Sequence, residues 1–165
     1  MQVGKIMQPT KQKLPYRRCA GIMLLNKSGK VFVARRIDTA IEAWQMPQGG
    51  IDEGEKPLDA ATRELEEETG VTNVSVIGEY EEWLTYDLPD DLYGKVWKGK
   101  YGGQTMKWFV MRYNGEDSEI NIETEHAEFS IWKWAEMSTL ENIIIPFKKE
   151  IYKKLAEKFK DLAEP

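Results

Sequence analysis

Three glutamates, Glu64, Glu67 and Glu68, stand at i, i+3 and i+4 in the segment GGIDEGEKPLDAATRELEEETGV, Gly49 to Val71. Residues at those spacings share one face wherever the chain is helical. Carboxylates on one face repel each other in water, and more strongly where they are partly buried. A run of this kind is commonly a solvated acidic face. Here, however, a Gly-Gly pair precedes the run, and Glu55 is placed to fold back toward it. Arg63, at i,i+4 from Glu67, relieves part of the repulsion but not all of it. Hard oxygen ligands in this number are what a divalent cation such as Mg²⁺ requires, with water and phosphate oxygens completing its shell. The alternating ligands of a calcium loop of the EF-hand type are absent.

The elements that must position these groups follow from the surrounding pattern. Pro57 suits the first turn of a helix, where its missing N–H costs little. Leu58, Ala61 and Leu65 recur at spacings of three and four and predict a buried stripe, with Glu66 turned elsewhere. Gly70 is placed to end the helix in a left-handed conformation. A helix from near Pro57 to Thr69 results.

Upstream, Cys19–Leu25 and Lys30–Arg36 read as a hairpin joined by Asn26, Lys27, Ser28 and Gly29. A loop from Gln45 to Gly50 then leads into the acidic segment. Further strands are expected at Val74–Glu79, Lys107–Tyr113 and Phe129–Trp134. Residues 87–104 lack periodicity and read as a long surface loop, a feature usually functional or mobile. Phe147, Ile151, Leu155, Phe159 and Leu162 form the apolar stripe of a C-terminal amphipathic helix. Residues 1–14 read as a polar leader, and residues 15–165 as one domain with no internal repeat.

The segment from Gly49 to Val71 resembles the signature of the Nudix hydrolases, G-x5-E-x7-R-E-U-x-E-E-x-G-U, with U a bulky aliphatic residue. Gly49, Glu55, Arg63, Glu64, Leu65, Glu67, Glu68, Gly70 and Val71 fill it without a departure. The likeness extends through YRRCAGIMLLN, VFVARR, AWQMPQGGIDEGE, WLTYDLP and QTMKWF…SEIN…EF, from about Tyr16 to Phe159. These segments resemble the branch that contains RNA pyrophosphohydrolases and diadenosine polyphosphate hydrolases. The resemblance implies an α/β (α+β) architecture, a mixed β-sheet sandwiched between helices, with the signature forming a loop–helix–loop.

It also implies roles. Glu64, Glu67 and Glu68 would ligate Mg²⁺ or Mn²⁺, joined by Glu128 from outside the signature. Glu67 is the candidate base for the attacking water, with Glu64 and Arg63 in the same catalytic group. Arg17, Arg36, Lys107 and Lys148 align with basic residues that face the substrate. Tyr86 is a candidate for contacting phosphate and Phe147 for stacking a base, although Phe147 also begins the stripe of the last helix. Gly49 and Gly50 belong to the substrate-binding loop, and the loop with Trp44, Pro47 and Gln48 shapes the floor beside it, although Trp44 reads equally as core. The implied activity is metal-dependent hydrolysis of phosphoanhydride bonds, in diadenosine tetra- or pentaphosphate or at the 5′-triphosphate end of single-stranded RNA. Hydrolysis of ADP-ribose or nucleoside triphosphates is the alternative within the family. A silent nucleotide sensor is the alternative outside enzymology, and the intact carboxylate set argues against it.

Composition sets the outer bounds. The 165 residues suffice for a real core, and a 41% hydrophobic and 31% charged chain is ordinary for a globular protein. A net charge of −5 gives no broad reason to hold duplex nucleic acid, so phosphate ligands must be met by local cations or metal. Lys95, Lys98 and Lys100 offer such a local edge for RNA. Cys19, the single cysteine, excludes an intramolecular disulfide and reads as a buried, inert thiol. His126, the single histidine, leaves little for a histidine-dependent mechanism. With no signal peptide and no span of roughly 20 apolar residues, the expectation is a cytoplasmic protein without a membrane partner. Replacing Glu67 or Glu68 by Gln is expected to cut turnover by orders of magnitude with the fold intact. Near-native turnover in both variants, measured beside their circular dichroism, refutes a metal-bearing helix.

Overall fold

The run YRRCAGIMLL, rich in branched and apolar side chains, forms strand β1 (Tyr16–Leu25), whose last seven residues are buried. Such continuous burial belongs to a strand covered on both faces, and β1 lies inside a seven-stranded mixed sheet. The computed structural model describes residues 14–38 and 42–163. The expected leader therefore lies, apart from Leu14, outside the described residues.

The turn Asn26–Lys30 returns the chain into β2 (Val31–Arg36), antiparallel to β1 at Leu25 and Val31. Asn26 holds the turn by accepting hydrogen bonds from the Ser28 and Lys30 amides on its side-chain oxygen. Strand β3 (Gln48–Gly50) pairs antiparallel with Cys19–Gly21. Helix α1 (Pro57–Thr69) follows, with Pro57 at its first turn. Gly70 ends it with φ of 73°, a left-handed conformation that glycine adopts without a Cβ penalty.

Strands β4 (Val74–Glu79) and β5 (Leu84–Asp87) both pair antiparallel with β6 (Gly103–Tyr113). Strand β6 itself runs parallel to β1 along its whole length, from Tyr16 beside Gly103 to Leu25 beside Arg112. Strand β7 (Phe129–Ala135) closes the far edge against β2. Two helices complete the chain, the short α2 (Leu140–Ile143) and α3 (Lys149–Phe159). No helix among the described residues is long and apolar enough to cross a membrane.

Alternation along β1 divides the interior in two. Cys19, Met23 and Leu25 join Trp108, Val110, Ile151, Tyr152 and Leu155 on the α3 side. Ala20, Ile22 and Leu24 join Ala60, Ala61, Leu65, Phe109 and Met111 on the α1 side. The expected sandwich of a mixed sheet between helices is what the chain forms.

Three expectations need correction. Leu58 is exposed, and the buried stripe of α1 runs through Ala60, Ala61, Leu65, Glu68 and Thr69. That stripe carries a glutamate into the interior where periodicity alone expects an aliphatic residue. The Gln45–Gly50 loop contains a strand, because its Gly-Gly end can lie flat against β1. Residues 87–104 are not merely a surface loop. They lie between β5, which the sequence pattern missed, and β6, and Leu88 is buried while Leu92, Tyr93, Val96 and Trp97 pack on the α3-side core. Leu88, Leu92, Val96 and Trp97 turn inward and wall a cavity on the α3 side.

Gly21 sits where a Cβ would come within 2.5 Å of the buried Trp108 indole. Gly21→Ala is expected to cost about 1–3 kcal/mol through overpacking. Thermal denaturation should show a midpoint lowered by about 2–4 °C per kcal/mol for a chain of this size. An unchanged midpoint removes the steric reading of that contact.

Candidate active site

Glu64 lies against Gly49 so closely that a Cβ on that residue would overlap its carboxyl group. Glycine at the adjoining position serves a second neighbour, because a Cβ on Gly50 would stand 2.7 Å from the Arg17 guanidinium. Strand β3 is thus a thin plate that receives an acid from α1 and a base from β1.

Arg63 organises the acids around this plate. Its guanidinium donates two hydrogen bonds of 2.9 Å to Glu55, one of 2.8 Å to Glu64, one of 3.3 Å to Glu67 and one of 2.9 Å to the Gly50 carbonyl oxygen. The paired bonds from Arg63, helped by the Asp52 amide, hold the Glu55 carboxyl down to about 2. Sequence spacing assigned Arg63 to Glu67 alone. It engages three glutamates because the 51–56 loop folds Glu55 back across the helix.

Glu68 receives none of this help. It is 1% exposed, and neither carboxyl oxygen has a hydrogen-bond partner. Burial, followed by the charges of Glu128 and Glu64, pushes its carboxyl well above the usual range. Glu64 is raised too, first by burial, although Arg63 opposes the shift. A buried carboxylate without a donor is costly unless a proton or cation meets it. Crowded oxygens of this type fit a divalent cation, with Glu64, Glu67, Glu68 and Glu128 as the residues that would hold it. Among the described residues no three acids already form a ready-made cluster. The ion pairs explain this: Arg63 holds Glu64 and Glu67, and Arg36 holds Glu128 at 3.3 Å.

A cavity of about 570 Å³ opens beside these acids. Glu64 and Glu128 line it, together with the cations Arg17, Arg36 and Lys148 and the polar Gln48 and Gln104. Arg36 is braced by two 2.8 Å hydrogen bonds to Asp38. Lys148 donates to Gln48 at 3.4 Å, and burial, with Arg36 and Arg17 adding to it, brings its ammonium down to about 8. Tyr86 donates a 2.6 Å hydrogen bond to Gln104, and its ring lies 5.4 Å from that of Phe147. Cys19 is buried behind this wall, and burial pushes its thiol up to about 11.

Most of the residues singled out from sequence therefore meet here: Gly49, Gly50, Glu64, Glu128, Arg17, Arg36, Tyr86, Phe147 and Lys148 line the cavity. Lys107 does not. Its ammonium pairs with Glu79 at 3.0 Å and the Glu81 carbonyl at 2.8 Å, because its position on β6 faces away from Gln104. Glu67 and Glu68 lie beside the cavity rather than on its lining. Gln104, Leu88, Leu92, Val96 and Trp97 line it without having been singled out for the site. Their signal was the unusual length of the 87–104 segment, combined with its aromatic content.

The chain belongs to the Nudix family: the NUDIX domain matches residues 15–155. Its class is that of a Nudix hydrolase acting on acid anhydrides, and the family generally uses divalent metals. Within the family it is 56% identical to the RNA pyrophosphohydrolase of Sphingopyxis alaskensis, over 89% of this chain and 94% of that protein. It is 51% identical to the RNA pyrophosphohydrolase of Pelagibacter ubique, over 94% and 99%. Among solved structures, the E. coli dihydroneopterin triphosphate pyrophosphohydrolase superposes with a TM-score of 0.68 at 17% identity, covering 87% of this chain and 99% of that one. A C. elegans Ap4A hydrolase complex superposes at 0.60 and 19%, covering 87% and 98%. At those identities the two structures speak for the fold alone.

The raised Glu68 carboxyl carries a stability consequence. A folded-state pKa above the unfolded one gives stability that is present at low pH and lost as pH rises through the folded value. In EDTA, Glu68→Gln is therefore expected to unfold at a higher temperature than the native protein, with a margin that widens as pH rises above the ordinary carboxylate range. Added Mg²⁺ should raise the native midpoint and leave the variant nearly unmoved. A variant less stable than the native protein above that range in EDTA contradicts the assignment.

Proposed function

We propose that this chain removes pyrophosphate from the 5′-triphosphate end of RNA, using Mg²⁺ or Mn²⁺. The observation that carries the proposal is the meeting of Glu64 and Glu128, next to the buried Glu68, with three cations at one cavity. Relatives more than 50% identical across almost their whole length, named RNA pyrophosphohydrolases, support the substrate. Lys95, Lys98 and Lys100 are exposed on the loop whose inner side lines the cavity, an edge suited to the phosphates of a following chain.

Glu64, Glu67, Glu68 and Glu128 would hold a divalent cation, which would supply acidification of water and neutralisation of phosphate charge. The chain's own residues do the rest. Arg36, Lys148 and Arg17 pair with the oxygens of the triphosphate and hold it in the cavity. Lys148, with its pKa near 8, keeps its proton most readily once a phosphate lies beside it. Glu67 accepts the proton of the attacking water as its oxygen bonds to phosphorus. The anhydride bond on the far side breaks, pyrophosphate leaves, and the RNA retains a 5′-monophosphate. Arg63 positions Glu64 and Glu67 without touching substrate, and Phe147 and Tyr86 present aromatic surface to the first nucleotide.

The test compares 5′-triphosphorylated RNA, diadenosine tetraphosphate and diadenosine pentaphosphate under one Mg²⁺ concentration, with products resolved. The expected outcome is the highest kcat/KM on RNA, pyrophosphate as product, and a value that falls with added salt. Preference for the dinucleotides, with ATP among the products, overturns the RNA assignment and makes them the substrate.

A further inference from the structure

We propose that Trp97 is a nucleobase-stacking residue, the aromatic floor of the same cavity, an inference that rests on the nucleotide reading above. Three observations converge on it. Trp97 lines the cavity that holds Glu64, Arg36 and Lys148, in company with Leu88, Leu92 and Val96. The cavity is therefore polar and charged where a phosphate chain belongs and apolar where a flat ring belongs, the division a nucleotide requires. Second, the Arg17 guanidinium lies 5.6 Å over the Trp97 ring. A guanidinium over an indole lies on one face of the ring and fixes its plane, so a base stacks on the opposite face. Arg17 also reaches Gly50 on β3, so the ring is tied through it to the acid end of the cavity.

Third, Trp97 has φ of 50° and Lys98 φ of 57°, and they are the positive-φ residues other than glycine among those described. A bulky side chain is disfavoured in that region, and such strain gathers at sites where the surrounding structure needs it. Glycine would relieve the backbone at no steric cost. The loop instead keeps an indole there, half-buried and edge-on to Tyr101, with ring centroids 6.2 Å apart. Lys95, Lys98 and Lys100 on the same turn stay in solvent, so the turn presents its ring inward and its charges outward.

Stacking on an indole tolerates any base, because every base has a π-face. Trp97 thus supplies affinity for the nucleoside without selecting its identity.

The experiment is isothermal titration calorimetry in EDTA with ATP, GTP and inorganic tripolyphosphate, on native protein, Trp97→Gly and Trp97→Phe. Glycine suits the backbone, so the first variant removes the ring without strain, and phenylalanine restores a ring. Native protein should bind both nucleotides more tightly than tripolyphosphate, by similar margins. Trp97→Gly should lose that margin, by roughly 5- to 100-fold in nucleotide affinity, and Trp97→Phe should recover most of it. A margin that survives in Trp97→Gly, or is absent from the native protein, overturns the inference. Loss of the margin in Trp97→Gly together with failure of native protein to hydrolyse RNA supports base stacking here and overturns only the RNA assignment.

Discussion

A carboxylate taken out of water and given no donor costs several kcal/mol, and the folded chain must offset that cost with a proton, a cation or stability from elsewhere. Glu68 is such a group, placed on the buried stripe of α1 behind Leu65. The charges of Glu128 and Glu64 act on it, and Arg36 opposes them without reversing the effect. The neighbouring acids are treated differently. Arg63 satisfies Glu55, Glu64 and Glu67, and Arg36 satisfies Glu128. One acid is left wanting a positive charge while the others are held in place around it. Such an arrangement favours the fold most when a proton or a cation meets that acid.

The sheet explains how acids and cations reach one cavity from opposite sides. Strand β1 is covered on both faces, and its alternate residues address α1 and α3 in turn. Strand β3, lying on β1 with almost no side chains, lets Glu64 approach at Gly49 and Arg17 at Gly50. Larger residues at either position would push one partner away. The α3 side then contributes Phe147 and Lys148, which reach Tyr86 and Gln48.

How much of this the sequence disclosed follows from the kind of signal each part carries. The bounds of α1 were legible to the residue because Pro57 and Gly70 mark local backbone events. The roles proposed for Glu64, Glu67 and Glu68 rest on spacing joined to a family signature. Strand β5 was invisible, since four residues with half their side chains exposed carry too little periodicity. Lys107 was misplaced because neighbouring strand residues face opposite ways, and likeness of sequence does not show which carboxylates compete for an ammonium. The isolation of Glu68 was beyond any pattern: it depends on which donors fail to reach it, a property of the packed interior.

The parallel pairing of β1 with β6 joins residues 16–25 to residues 103–112. A parallel pair cannot be closed by a tight turn, and contacts so distant along the chain are slow to form because loop entropy must be lost first. On a ribosome, the strand that carries Arg17 emerges early yet must wait for nearly the whole of β6 before gaining its principal partner. Phe147 and Lys148 emerge later still. The cavity is therefore among the last features of the nascent chain to exist, and until then β1, with its run of seven buried residues, lacks the covers that keep it from other chains.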